Sequence, residues 1–114
     1  MVLELGEKVH LIERRAFDGD LRRHFIGEVT YATDSVARLK GYVYVLDMAT
    51  NEYIRRPQIR TRIVPMVDAR IIINVLPANA NIAKAIYTMD KDRHLCVTDS
   101  ETFTLDINEF GSTH

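Results

Sequence analysis

The chain has 114 residues, 46% of them hydrophobic and 27% charged, with a formal net charge of −1. That is enough for one domain, residues 1–114, burying roughly two-thirds of the surface its unfolded form exposes. The composition excludes a disordered chain, the near-neutral charge argues against a dedicated nucleic-acid binder, and no apolar run approaches the ~20 residues of a membrane helix.

Residues 1–6 read as a lead-in closed by Gly6. The opening MVLELGEKV lacks the basic-then-apolar block of a signal peptide. Cys96 is the single cysteine, so no internal disulfide can form. Both features suit a reducing cytoplasm, where the chain is expected to reside. Residues 9–15 alternate loosely, and Asp18-Gly19 is a strong turn signal. A strand is predicted over 23–32, with Phe25, Gly27, Val29 and Tyr31 on one face and His24, Ile26, Glu28 and Thr30 on the other. The longest strand is predicted over 36–48. Gly27 and Gly41, each in mid-strand, predict bulges or sharp bends of a curling sheet.

A return strand over 53–62 is broken by Pro57. The stretch Arg60–Pro77 reads as a hairpin reversing at residues 67–70, and its arm Ile71-Ile72-Ile73-Asn74-Val75 is the densest β-branched run. Residues 77–81 form a turn-rich connector, and Asn79 or Asn81 could cap a single helical turn over 82–85, but periodicity leaves that stretch open between helical and extended. Ala85–Met89 reads better as a strand, reversing at 90–93. In the last hairpin Leu95 and Val97 match Phe103, Leu105 and Ile107 across a turn at 99–101, before a tail that frays. About seven or eight strands joined by short polar turns predict an all-β antiparallel meander. The expectation is a small SH3-like or Sm-like barrel, closed or partly closed, extended by a C-terminal hairpin.

Four stretches carry a resemblance: GEKVHLIERR at 6–15, RRHFIGEV at 22–29, RRPQIRTRIVP at 55–65 and LDINEFG at 105–111. Together they resemble a family of small bacterial proteins of unknown function. None is an active-site signature, so the resemblance implies no activity. The F-x-G-x-V of Phe25, Gly27 and Val29 is also similar to the opening of many small barrels.

Three constellations bear on function. Arg38, Lys40, Tyr42 and Tyr44 share one strand face by alternation, and Arg60 and Arg62 follow nearby. Cations interleaved with aromatic rings suit RNA or single-stranded DNA, whose phosphates and bases they meet. The plainer reading is that the tyrosines pack and the cations pair with acids. Second, Ile72, Leu76, Leu46 and Met48 lie opposite the main apolar face and need a cover. A second copy of the chain is expected to supply it, with the chain's own C-terminal hairpins as the alternative.

Third, His94 and Cys96 share a strand face two residues apart, but zinc needs three or four ligands. A surface histidine and a small buried cysteine are the simpler reading, and no cofactor or metal is expected. No nucleophile elbow or phosphate-binding glycine pattern is present. The sequence therefore reads as a non-catalytic, homo-oligomeric interaction or ligand-binding module, whose partner is itself, another protein or nucleic acid and not a membrane. Nucleic-acid binding is the second reading, and a small enzyme or metal protein the third.

Overall fold

The computed structural model describes residues 2–14, 22–68 and 70–107. The expected Asp18-Gly19 turn and the tail from Asn108 lie outside the described residues, as does Ala69 of the expected reversal. The fold is all-β and antiparallel. Strands β1 (Lys8–Glu13), β2 (Arg23–Ala32), β3 (Val36–Asp47), β4 (Glu52–Arg55), β5 (Arg60–Pro65) and β6 (Ile71–Val75) form a six-stranded sheet. Strands β7 (Ile86–Met89), β8 (Leu95–Thr98) and β9 (Thr104–Asp106) form a second, three-stranded sheet. A short 3₁₀ turn, Ile82–Lys84, joins them, in a stretch whose periodicity left helical and extended readings open. The Asn81 side chain does not cap it.

The centre of the large sheet is the β1–β2–β3 meander, in which Val9 pairs with Gly27 and Gly27 with Gly41. Val9, Leu11, Phe25, Val29, Leu39 and Val43 point to one face and form the first core cluster. Gly27 and Gly41 sit opposite each other where the strands approach too closely for side chains. A Cβ on Gly41 would lie 2.0 Å from the Ile26 carbonyl oxygen, and one on Gly27 would lie 2.6 Å from the Lys40 carbonyl oxygen. The glycines thus serve a close approach of the two strands rather than a bulge, since the register runs unbroken through Gly27↔Gly41. A register shift between Val29 and Tyr31 adds a bulge. It moves Tyr31 onto the Arg38 row of the opposite face, where it is 53% exposed, rather than leaving it beside Val29 as strict alternation predicts.

Beyond Gly41 the edge of β3 changes partner. Its first half pairs with β5 from Val36↔Pro65 to Gly41↔Arg60, and its end pairs with β4 from Tyr44↔Arg55 to Asp47↔Glu52. Residues 56–59, holding Pro57, bulge out between the two, so the broken return strand is two strands on one edge. The Arg60–Pro77 hairpin does not form. Strand β5 pairs with β3, whereas β6 pairs with β1 through Leu11↔Ile73 on the opposite edge. An isolated ribbon of two such short strands is marginal. Joining β1 instead seats Ile71 and Ile73 against the first core. Val64 of β5 reaches that same cluster, so the sheet curls. It nevertheless stays open: among the described residues no ladder joins β5 to β6, and the expected barrel does not close. The linker bonds within itself instead, with Asp68 Oδ1 accepting the Arg70 N–H at 2.8 Å.

The second sheet answers the question of cover. Ile26, Tyr44, Leu76, Ala80, Ala85, Val97 and Ile107 form a second buried cluster between the two sheets. Leu76 is 4% exposed under this cover, and the chain itself supplies it.

Asp99 fastens the cover. Its Oδ1 accepts the N–H groups of Glu101, Thr102 and Phe103, and its Oδ2 accepts the Asn81 N–H at 2.9 Å and the Thr102 hydroxyl. Burial pushes this carboxyl up, but the bonds from Thr102, Asn81 and Glu101 outweigh that and hold it well below the usual carboxylate range. A depressed folded-state pKa contributes stability that is present above the unfolded value, about 3.9, and is lost as pH falls below it. Asp99→Asn should therefore lower the melting temperature at pH 7 and flatten its decline below pH 4. Equal melting curves for the two proteins from pH 7 to pH 3 would refute that role.

Candidate ligand cleft between the two sheets

The face of the large sheet that meets the small one is lined by residues that alternation placed on its polar side. Here His10, Ile12, His24, Ile26 and Tyr44 are all buried. His10 pairs with Ile26 across β1–β2 and with Asn74 across β1–β6, and His24 pairs with Tyr44 across β2–β3. The cover brings Tyr87 of β7 against them.

The polar atoms form a directional chain. An amide nitrogen only donates, so Asn74 Nδ2, 3.3 Å from His10 Nδ1, makes that nitrogen an acceptor. The His10 proton then sits on Nε2, which donates to the Tyr87 hydroxyl at 3.1 Å. The Tyr87 hydroxyl donates in turn to His24 Nδ1 at 2.7 Å. His10 Nε2 and His24 Nδ1 are themselves 3.2 Å apart. Burial, with Tyr44 and Tyr53 adding to it, pushes the Tyr87 phenol well above its ordinary value, so it stays a neutral donor. Groups buried this deeply are costly unless bonded, and here they fix the orientation of the Tyr87 ring.

That ring faces a cleft. Tyr53 of β4 stacks on it with centroids 4.7 Å apart and planes 21° from parallel. The His24 ring lies 4.6 Å from that of Tyr53, tilted by 37°. On one side of the stacked pair lies a cavity of about 460 Å³, lined also by Arg22, Leu46, Glu52, Met89, Arg93 and Leu95. On the other lies a second, of about 440 Å³, reaching Tyr44, Arg55, Lys84 and Ile86. Arg55 is engaged there, with its guanidinium 4.6 Å over the Tyr42 ring and a hydrogen bond to the Ala83 carbonyl. Lys84 pairs with Glu101 at 3.0 Å. Arg22 and Arg93 take part in no ion pair among the described residues, and Glu52 is the one acid lining the first cavity. The first cavity thus combines an aromatic wall, an apolar floor and a net positive rim, within the size range of small-molecule sites.

The residues singled out from sequence do not gather into one surface. Arg38 and Lys40 are exposed on the outer face of β3. Tyr44 on that same face is buried by the cover and donates to the Ala85 carbonyl at 2.7 Å. Burial raises its pKa, against the opposing charge of Arg55. Tyr42 is half-buried under Arg55. Arg60 and Arg62 pair with Gly41 and Leu39, so they project from the opposite side of the sheet, where Arg62 lies 6.0 Å from the Phe25 ring centre. Of the four apolar residues, Leu46 and Leu76 are buried, Ile72 is half-buried opposite Ile12, and Met48 is 76% exposed.

His10, His24, Tyr53, Tyr87, Arg22 and Arg93 were not singled out for this role. Part of the signal was present. His10 and His24 alternate in step with Ile12 and Ile26, which marks their face as one to be covered. The chain matches no protein-family model, no curated protein and no solved structure in the comparisons made with each.

Proposed function

We propose that the protein is a non-catalytic ligand-binding module whose inter-sheet cleft takes a small, planar, anionic molecule. One observation carries the reading: a stacked Tyr53–Tyr87 wall beside two arginines, Arg22 and Arg93, that make no ion pair among the described residues. An aromatic wall binds a planar ring by stacking, and arginine forks suit carboxylate or phosphate oxygens. The two imidazoles lie behind Tyr87 and serve the wall by holding it in place. The reading requires no second subunit, since Leu46 and Leu76 are already covered. Single-stranded nucleic acid along Arg38, Lys40, Tyr42 and Tyr44 is less favoured, because only the two cations of that row stand fully open.

A nucleoside monophosphate is a suitable probe, having a ring and a phosphate. The chain has no tryptophan, and two of its five tyrosines form the wall, so the wall is reported by the part of the tyrosine fluorescence that Tyr87→Phe and Tyr53→Phe remove. Adenosine monophosphate should quench it saturably, and adenosine should bind at least tenfold more weakly. Tyr87→Ala should lose ~1–3 kcal/mol of affinity, as for one stacked base. Tyr87→Phe keeps the ring and should retain most affinity, while losing ~1–3 kcal/mol of stability through the missing hydroxyl. Absence of saturable quenching at millimolar nucleotide, or equal affinity in Tyr87→Ala, would reject the cleft as the site.

A further inference from the structure

Alternation along β8 sends Leu95 toward the cleft and places His94 and Cys96 on the other face of the small sheet. The turn from β7 into β8 passes through Arg93 in the left-handed region, at φ 63°. In that turn Asp90 Oδ1 accepts the N–H groups of Asp92 and His94, both at 2.8 Å. One oxygen is therefore anchored to the backbone, and Oδ2 is left facing β8. His94 Nδ1 lies 3.9 Å from that Oδ2 and 2.9 Å from Asp106 Oδ2 on β9. Asp106 pairs in register with Cys96, whose side chain is almost wholly buried and whose Sγ lies 3.9 Å from Asp90 Oδ2. One ligand atom from each of Asp90, His94 and Asp106 lies within 4.8 Å of the other two.

We propose that Asp90, His94 and Asp106 bind one divalent cation of the zinc type, with water completing its shell. The donor set decides the class. An imidazole nitrogen with carboxylate oxygens suits zinc, cobalt or a similar ion, whereas calcium and magnesium take oxygen donors alone. Bond lengths of roughly 2.0–2.3 Å put tetrahedral ligand atoms about 3.3 Å apart. Rotation of the partly exposed His94 and Asp106 side chains can close the 3.9 Å gap between His94 and Asp90 and open the 2.9 Å one between His94 and Asp106. The strands that bring the donors together are fixed by the β7–β8–β9 ladder. The inference stands apart from the cleft and does not depend on it.

Titration calorimetry of the metal-stripped chain with zinc should give one ion per chain. His94→Gln and Asp106→Asn should each weaken binding at least tenfold, with far-ultraviolet circular dichroism as the folding control. Both side chains are more than 40% exposed, so both variants should fold. Cobalt(II) should bind with a visible d–d spectrum that His94→Gln abolishes. Substoichiometric binding, or unchanged affinity in both variants, would overturn the site.

Discussion

Gly41→Ala should remove a large part of the chain's stability at 25 °C. The new Cβ would stand 2.0 Å from the Ile26 carbonyl oxygen, 2.5 Å from Gly27 Cα and 2.8 Å from the Ile26 carbonyl carbon. All three atoms belong to the backbone of the neighbouring strand, so no side chain can move aside. Relief requires β2 and β3 to separate at the point where the sheet bends and β3 passes from β5 to β4. Phe25, whose ring lies over the matching position on Gly27, would be displaced from the first core. Strain and lost packing of this kind cost on the order of 4 kcal/mol or more, against a total stability of about 5–15 kcal/mol for a small domain. Urea denaturation followed by circular dichroism measures the loss. A Gly41→Ala midpoint equal to the parent's would contradict the close strand approach.

Leu76→Asp should have the second-largest effect, and it separates the two possible covers. Leu76 follows β6, its N–H bonds to the Lys8 carbonyl at 2.7 Å, and its side chain packs with Ala80, Ala85, Val97 and Ile107. Substitution removes the transfer free energy of a buried leucine and places a carboxylate between the sheets, costing roughly 4 kcal/mol. Lys8 does not stand ready to pair with it, because its ammonium already donates to the Ala80 carbonyl at 2.7 Å. The expected result is a large drop in melting temperature at any protein concentration. A second subunit covering Leu76 would give a different result: a lower solution mass with the monomer's stability intact.

Much of the local structure was legible in the sequence, because period-two alternation and turn residues act over short range. Strand β2 falls where it was expected and β3 falls within one residue of it, while Gly27 and Gly41 mark a close strand approach rather than a bulge. Pairing was less legible. Ile71–Val75 is apolar on both faces, so its pattern does not say which neighbour it takes, and it joins β1 rather than β5. The bulge at Val29/Tyr31 reverses the facing of Tyr31, which strict alternation cannot anticipate. The cleft was the least legible feature. Arg22, Tyr53, Tyr87 and Arg93 come from four separate places in the sequence and meet only when the small sheet lies across the large one. His94 and Cys96 were visible as a pair, but Asp90 and Asp106 join them only through the β7–β8 turn and the β8–β9 register.

The C-terminal sheet thus serves two purposes. It buries Ile26, Leu76 and the histidine pair, and it presents Tyr87 beside Tyr53 to form the cleft wall. The most direct test is an amide chemical-shift titration of the labelled chain with adenosine monophosphate. Binding in the cleft should shift the amides of Arg22, Tyr53, Tyr87, Met89, Arg93 and Leu95 together, on a single saturating curve. Shifts confined to the outer row of Arg38, Lys40, Thr61 and Ile63, or no shifts at millimolar nucleotide, would contradict it.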